Sequence, residues 1–352
     1  MAAVIAGLAR PLDSDGALLY ADGTMENTNA TTQTTGSIPA PAEAAAARAG
    51  ARAAWLDPGV LWLLASAAGF GSMAIFAKLA YSGGLTVPTL LATRFGLAAI
   101  LMWGLLAARR LSPRVPPRTL VGLLLMGGIG YVGQSFAFFT ALETIPAATT
   151  ALLLYTYPAM VSVLAWVILK QRLSRTAALA LALATAGCAL VVGGPAALPA
   201  QVQIDPAGMA WGLAAALIYS LYIIAGTRVT ANVPPLVAST YIISAAAGVF
   251  LGAGTLGGTL NFAVDAGAWA AMIGIALICT VLAIAAFFAG LARLGPGRAS
   301  ILSTVEPIVT FLLAALVLGE AISLIQIAGG ALILSAVLVL QWPRKAARPA
   351  AL

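Results

Sequence analysis

Three charged side chains sit inside otherwise apolar stretches of this sequence: Lys78 in FGSMAIFAKLA, Arg94 in VPTLLATRFGLAAILM and Glu306 in LSTVEPIVTFLL. A charge in the middle of a membrane-length apolar segment costs about 2.5 to 10 kcal/mol unless it is paired or hydrated. Each of the three therefore marks either chemistry or a structural pairing. Glu306 falls about eight residues into its segment, roughly 12 Å deep at the rise of an α-helix. It precedes Pro307, which frees a backbone carbonyl one turn earlier and loosens the helix. A carboxylate there can meet a cationic group or carry a proton; the structural alternative is a buried acid bonded to neighbouring helices. Arg94 is placed to hold a carboxylate through two parallel hydrogen bonds or to pair with an acid of the protein. Lys78 lies near the end of its segment, where a long side chain can snorkel to the headgroups.

Polar and aromatic residues gather on the same central segments. Tyr131 and Gln134 lie on the third, Tyr155 and Tyr157 on the fourth, Tyr219 and Tyr222 on the sixth, and Ser303 and Thr304 on the ninth. Tyr219 and Tyr222 share a helix face at a spacing of three. An apolar wall with a few hydroxyls suits a small amphiphilic ligand. The same tyrosines could equally anchor helices at the membrane interface. Pro158 and Pro307 are candidate hinges.

These residues need a frame, and the composition supplies it. Hydrophobic residues make up 61% of the 352, and charged residues only 8%. Soluble domains carry roughly 25% charge, so the chain reads as an all-α integral membrane protein. Ten apolar segments approach the roughly 20 residues that cross a bilayer: 59–80, 87–107, 119–141, 146–168, 177–194, 207–226, 236–255, 268–290, 299–318 and 322–341. They are continuous runs, unlike the alternating strands of a membrane barrel.

The chain also repeats itself. The stretch from Phe138 to Ser174 aligns without a gap on Phe287 to Ser323, 149 positions later, setting Pro158 over Pro307 and Tyr157 over Glu306. The same offset sets Gly59 over Gly208 and Trp62 over Trp211. Each copy holds five segments, an odd number, so tandem copies must enter the membrane in opposite directions. Inverted repeats of this kind place a cargo site between the halves near the midplane. Tyr157 and Glu306 should then face each other across the pseudo-symmetry axis.

Basic residues orient the chain. If the N-terminus is cytoplasmic, 16 of the 18 Lys and Arg lie in inner loops or tails, the exceptions being Lys78 and Arg94. That is the positive-inside pattern, with both termini cytoplasmic. The pI of 9.8 follows from it, and no basic-aromatic motif points to nucleic acid. Residues 1–54 read as a disordered cytoplasmic tail, with Met25 an alternative start, and 342–352 as a second tail. Cys188 and Cys279 fall inside segments and read as packing residues. Trp62, Trp103, Trp166 and Trp342 read as interfacial belt residues.

The absences narrow the chemistry. The sequence has no histidine for a relay or metal cluster, no phosphate-binding loop for ATP, and no nucleophile with an evident base. No cofactor is implied. A membrane-embedded enzyme would have Glu306 and little else.

Taken as an ordered set, the two repeats, the first segment ending at Lys78, Arg94 in the second, Glu306-Pro307 in the ninth and Gly319-Glu320 at the following turn resemble the EamA branch of the drug/metabolite transporter superfamily. The resemblance runs over about 59–341. It implies a ten-helix bacterial inner-membrane transporter, with a first EamA repeat at 55–194 and a second at 207–341. It also implies export of small metabolites, with amino acids a frequent cargo as in the YddG-like exporters. Carriers of drugs, hydrophobic cations or nucleotide sugars are the alternatives. The partners expected are a small-molecule substrate, the lipid bilayer and, at most, a second copy of the chain. Where the family commonly has Gly-Glu-Arg after the fourth helix, this chain has Lys170-Gln171-Arg172. Glu320, its counterpart, is then a helix-end residue suited to capping the tenth helix.

Overall fold

A computed structural model describes residues 57–170, 175–193 and 205–341. The two tails, Gln171, Arg172 and Trp342 lie outside the described residues.

The described residues form apolar helical rods in the order α1 Pro58–Ser82, α2 Val87–Ala108, α3 Pro117–Thr144, α4 Ala147–Ile168, α5 Arg175–Val191, α6 Pro206–Val229, α7 Pro235–Leu256, α8 Ala266–Gly295, α9 Ile301–Val317 and α10 Leu324–Leu340. Seven are long and apolar enough to cross a membrane; α5, α9 and α10 are shorter apolar helices. Local chemistry sets several ends. The Asp57 carboxylate accepts from the Gly59 amide at 2.7 Å, Asp205 from Ala207 at 3.0 Å and Asp265 from Ala268 at 2.6 Å. Each satisfies an amide that the first helical turn leaves open. Proline occupies the first positions of α1, α2, α6 and α7, where its missing N–H costs nothing. Gly295 ends α8 at φ +74°, a backbone setting that a side chain would strain.

Three rods are interrupted where the sequence carries small residues or proline. α1 breaks at Ser72, whose hydroxyl donates to the Gly69 carbonyl at 2.9 Å. α4 breaks at Tyr155–Thr156, just ahead of Pro158. In the second repeat a break at Thr304 separates Ser303 from Val305, just ahead of Pro307. A proline cannot donate to the preceding turn, so both breaks follow from the repeated proline. A second repeated irregularity has no such residue behind it: α3 winds into a π-turn at Met126–Tyr131, and α8 does so at Leu277–Leu282.

The repeats pack by exchange. α1 lies antiparallel to α8 and leans on α9, while α6 lies antiparallel to α3 and leans on α4. α2 pairs with α7 and α5 with α10. Replacing every helix by the one five places away returns the same set of pairs. Close approaches rely on glycine, as membrane packing requires: a Cβ on Gly187 of α5 would stand 2.6 Å from the Gly329 carbonyl oxygen of α10.

The halves do not meet evenly along their length. The second part of α1, Met73–Ser82, packs on Val132–Thr144 of α3 and Ala147–Leu154 of α4, and α9 packs on the same start of α4. The first part of α1, Pro58–Gly71, has its main contacts with α8 and α9. Tyr157–Leu169 of α4 rests mainly on α6, with α5 and α10 beside it. The repeats meet at the end carrying residues 145–146 and 318–323 through α9 on the start of α4, and toward the other end through α1 on α8 and α9 and through α4 on α6.

Candidate functional site

The helix breaks adjoin a cavity lined by both repeats. Its walls come from α1 (Phe70, Met73, Ala74), α2 (Arg94), α3 (Tyr131, Gln134, Ser135, Phe138, Phe139), α4 (Ala151, Leu154, Tyr155, Tyr157), α6 (Tyr219) and α9 (Glu306, Thr310). Both repeats contribute, and the helix breaks of α1, α4 and the segment before Glu306 all fall at its edge. The mix of apolar wall with few polar groups suits a small organic molecule.

Arg94 is the cavity's cation. It is buried, at 3% exposure, so its charge is stabilised by contacts rather than by water. Its Nε donates to the Thr280 hydroxyl at 3.2 Å. Its guanidinium carbon stands 4.9 Å from the ring centre of Phe95 and 5.3 Å from that of Phe139, within the range of cation–π attraction. The Tyr131 hydroxyl lies against the same guanidinium. None of these partners is an acid, so the structural ion pair left open by the sequence is not what holds Arg94 among the described residues.

Glu306 is the cavity's anion. It is half-buried, and the Tyr155 hydroxyl faces its carboxylate. Tyr155 also donates to the Ser303 carbonyl at 3.3 Å, a group freed by the break before Pro307. The backbone at Glu306 is fixed from α1: a Cβ on Gly71 would lie 2.6 Å from the Glu306 carbonyl oxygen, and Thr310 donates to the Gly71 carbonyl at 2.7 Å.

A row of aromatic rings joins the two charges. Tyr155 neighbours Tyr157 at 6.0 Å between ring centres, and Tyr157 neighbours Tyr219 at 4.7 Å. Tyr219 stacks on Tyr222 at 6.1 Å, Tyr222 on Tyr131 at 6.0 Å, and Tyr131 meets Phe95 edge-on at 5.1 Å. All are within favourable ring-pairing distances. The Ser220 hydroxyl donates to the Ala216 carbonyl of its own helix at 2.7 Å and lies 3.2 Å from the Tyr157 carbonyl of α4.

Of the residues singled out from sequence, Arg94, Tyr131, Gln134, Tyr155, Tyr157, Tyr219 and Glu306 line this one cavity. Tyr222 stands behind the wall, stacked between Tyr219 and Tyr131. Pro158 and Pro307 flank the helix breaks. Lys78 and Thr304 are not in the lining: the Thr304 hydroxyl donates to the Ile301 carbonyl at 2.7 Å, and Lys78 is half-buried within electrostatic reach of Glu320 and Glu143. Trp62, Trp103 and Trp166 are exposed, as belt residues would be. Sequence reading missed Thr280, Ser135, Thr310 and the phenylalanines beside Arg94. Thr280 had a signal, since it stands 149 positions after Tyr131.

Glu320 requires a correction. It does not cap α10. Its carboxylate takes the first amides of α4, Ala147 at 2.7 Å and Ala148 at 3.2 Å, and so ties the second repeat to the first. The start of α10 is capped instead by Ser323 and Gln326, which exchange backbone-to-side-chain bonds at 3.0 and 3.1 Å. A carboxylate on open amides at the positive end of a helix is stabilising. Glu320→Ala is therefore expected to lower stability by about 1–2 kcal/mol, read as a lower melting temperature of the purified protein, with Glu320→Gln intermediate.

The sequence matches the EamA-like transporter family twice, over residues 57–193 and 206–342. The chain belongs to the EamA-like transporter family. It is a membrane transporter of the drug/metabolite superfamily and not an enzyme. Its relatives agree in kind. It is 26% identical over 277 residues to an uncharacterized transporter of Archaeoglobus fulgidus, covering 79% of this chain and 94% of that one. It is 25% identical over 250 residues to the uncharacterized transporter YyaM of Bacillus subtilis (70% and 82% covered). It is 29% identical over 224 residues to the uncharacterized inner membrane transporter YicL of Salmonella typhimurium (62% and 72% covered). A solved crystal structure shares the fold with a TM-score of 0.58 at 21% identity, covering 80% of this chain and 96% of that one.

Proposed function

We propose that this EamA protein is a ten-span bacterial inner-membrane exporter of small zwitterionic metabolites, amino acids above all, working by alternating access between two inverted repeats. The observation that carries the reading is the pairing of one buried cation, Arg94, and one carboxylate, Glu306, in a single cavity joined by a tyrosine row. A zwitterion matches both ends at once: its carboxylate meets the Arg94 guanidinium, its ammonium meets Glu306 and the π-faces of the tyrosines, and its side chain rests on Phe70, Met73 and Phe138. α5, α9 and α10 would complete ten spans as shorter helices. The exchange-symmetric, antiparallel packing supports inversion, and the positive-inside distribution supports cytoplasmic termini. Alternating access would bend the helices at the breaks before Pro158 and Pro307.

Two features of the site favour this cargo over the alternatives. A nucleotide sugar carries several negative charges, and one cation lines the cavity. A hydrophobic cation would suit Glu306 and the tyrosines but would have to tolerate Arg94 in the same space.

The test is counterflow in proteoliposomes preloaded with single neutral amino acids. Wild type is expected to exchange several of them. Glu306→Gln should raise KM by about tenfold, the loss of roughly one charge-assisted contact. Absence of exchange by well-folded wild type sinks the amino-acid assignment.

A further inference from the structure

Arg94 of the first repeat is held by residues that occupy equivalent positions in the two repeats. Adding the repeat offset of 149 to Tyr131 gives Thr280. Tyr131 closes the π-turn of α3, and Thr280 sits in the π-turn of α8. Helices that wind locally to a π-turn commonly do so where a functional residue must be placed. Here the two turns converge on one guanidinium.

The bonding at Thr280 has a direction. Its hydroxyl has one hydrogen, and that hydrogen goes to the Ile275 carbonyl, five residues back, at 3.0 Å. The five-residue step is the spacing of the π-turn itself, so the turn sets where the hydroxyl points. The oxygen's lone pairs are then left to accept from Arg94 Nε at 3.2 Å. Thr280 is fully buried, at 0% exposure, and water does not substitute for it. Arg94 has five N–H donors in a rigid fork. Thr280 takes the single Nε donor, and Phe95 and Phe139 lie within 5.3 Å of the guanidinium. The terminal nitrogens carry four further N–H donors; the Tyr131 hydroxyl lies beside the guanidinium, and the remaining donors are left for the cavity.

We propose that Thr280 is the positioning residue that sets Arg94 to receive the carboxylate of the cargo, so that the second repeat's π-turn decides how well this transporter reads an anionic group presented to the first repeat. The proposal rests on the amino-acid reading above. Its position in the chain is unexpected: Thr280 is distant from Arg94 in sequence, is not itself in the cavity lining, and acts only through the arginine.

The experiment is leucine counterflow in proteoliposomes by the full chain, comparing wild type with Thr280→Val, Thr280→Ala and Thr280→Ser. Valine keeps the shape and removes the acceptor; alanine removes the acceptor without adding a methyl group, in case valine does not fold; serine keeps the acceptor. Expected is a rise in KM of about tenfold for valine or alanine, with kcat within about twofold of wild type, and recovery of KM to within about twofold in serine. A merely structural role would lower the amount of active protein, seen as a fall in kcat, and serine would not selectively restore KM. An unchanged KM in both valine and alanine variants overturns the proposal, as does a serine variant as impaired as they are. A well-folded wild type that exchanges neither leucine nor any other neutral amino acid overturns the cargo reading, and the role of Thr280 toward a carboxylate with it.

Discussion

Arg94→Ala is expected to reduce amino-acid exchange by about a hundredfold in kcat/KM. Two charge-assisted hydrogen bonds to a carboxylate in a water-poor site contribute about 1.5–3 kcal/mol each in gross terms, and part of that offsets the cost of keeping the guanidinium buried. A net loss near 2.7 kcal/mol corresponds to about a hundredfold. The substitution should also change what the cavity accepts. With the cation gone, Glu306 and the row from Tyr155 to Tyr131 remain, and these suit an amine without a carboxylate. Competition by isoamylamine against leucine counterflow is therefore expected to strengthen relative to leucine itself. Retention of full leucine exchange in Arg94→Ala would exclude the guanidinium from cargo recognition.

The second large effect concerns the frame. Gly187→Val is expected to prevent stable packing of α5 on α10, with a loss of more than about 3 kcal/mol. A Cβ at Gly187 meets the Gly329 carbonyl oxygen at 2.6 Å and Ile333 Cγ1 at 2.8 Å, and a Cβ at Gly329 meets the Gly187 carbonyl oxygen at 2.7 Å. The obstacle is backbone, which cannot rotate aside as a side chain can. Gly248→Ala provides the control: Gly248 lies within α7 with nothing within 4 Å of an added Cβ, so alanine should be neutral or stabilising by about 0.5–1 kcal/mol. Melting curves of the two variants in one detergent decide the matter. Equal stability would show that the glycine contact does not hold the pair together.

Much of the frame was readable because its causes are local. Apolar length gives the rods, and the boundaries expected from sequence fall within a few residues of those found. The duplicated proline gives both helix breaks. Two of the three charged residues inside apolar runs, Arg94 and Glu306, line the cavity, as the cost of burying a charge leads one to expect. What stayed hidden depends on partners distant in sequence. Glu320 looked like a cap for the helix that follows it, since nothing in the sequence reveals that the start of α4 folds onto it. The π-turns have no common residue signature: MGGIGY and LICTVL lie on equivalent helices but two positions apart in the repeat frame. Lys78 and Arg94 were both cargo candidates in sequence, yet Lys78 lies within electrostatic reach of Glu320 and Glu143 while α2 carries Arg94 into the cavity.

The most direct measurement is a cryo-EM structure of the protein in nanodiscs, saturated with an amino acid that the wild type exchanges. Density for the ligand in the cavity, with its carboxylate on the Arg94 guanidinium and its ammonium toward Glu306, is the expected result. Density elsewhere, with the space between Arg94 and Glu306 unfilled, would contradict it.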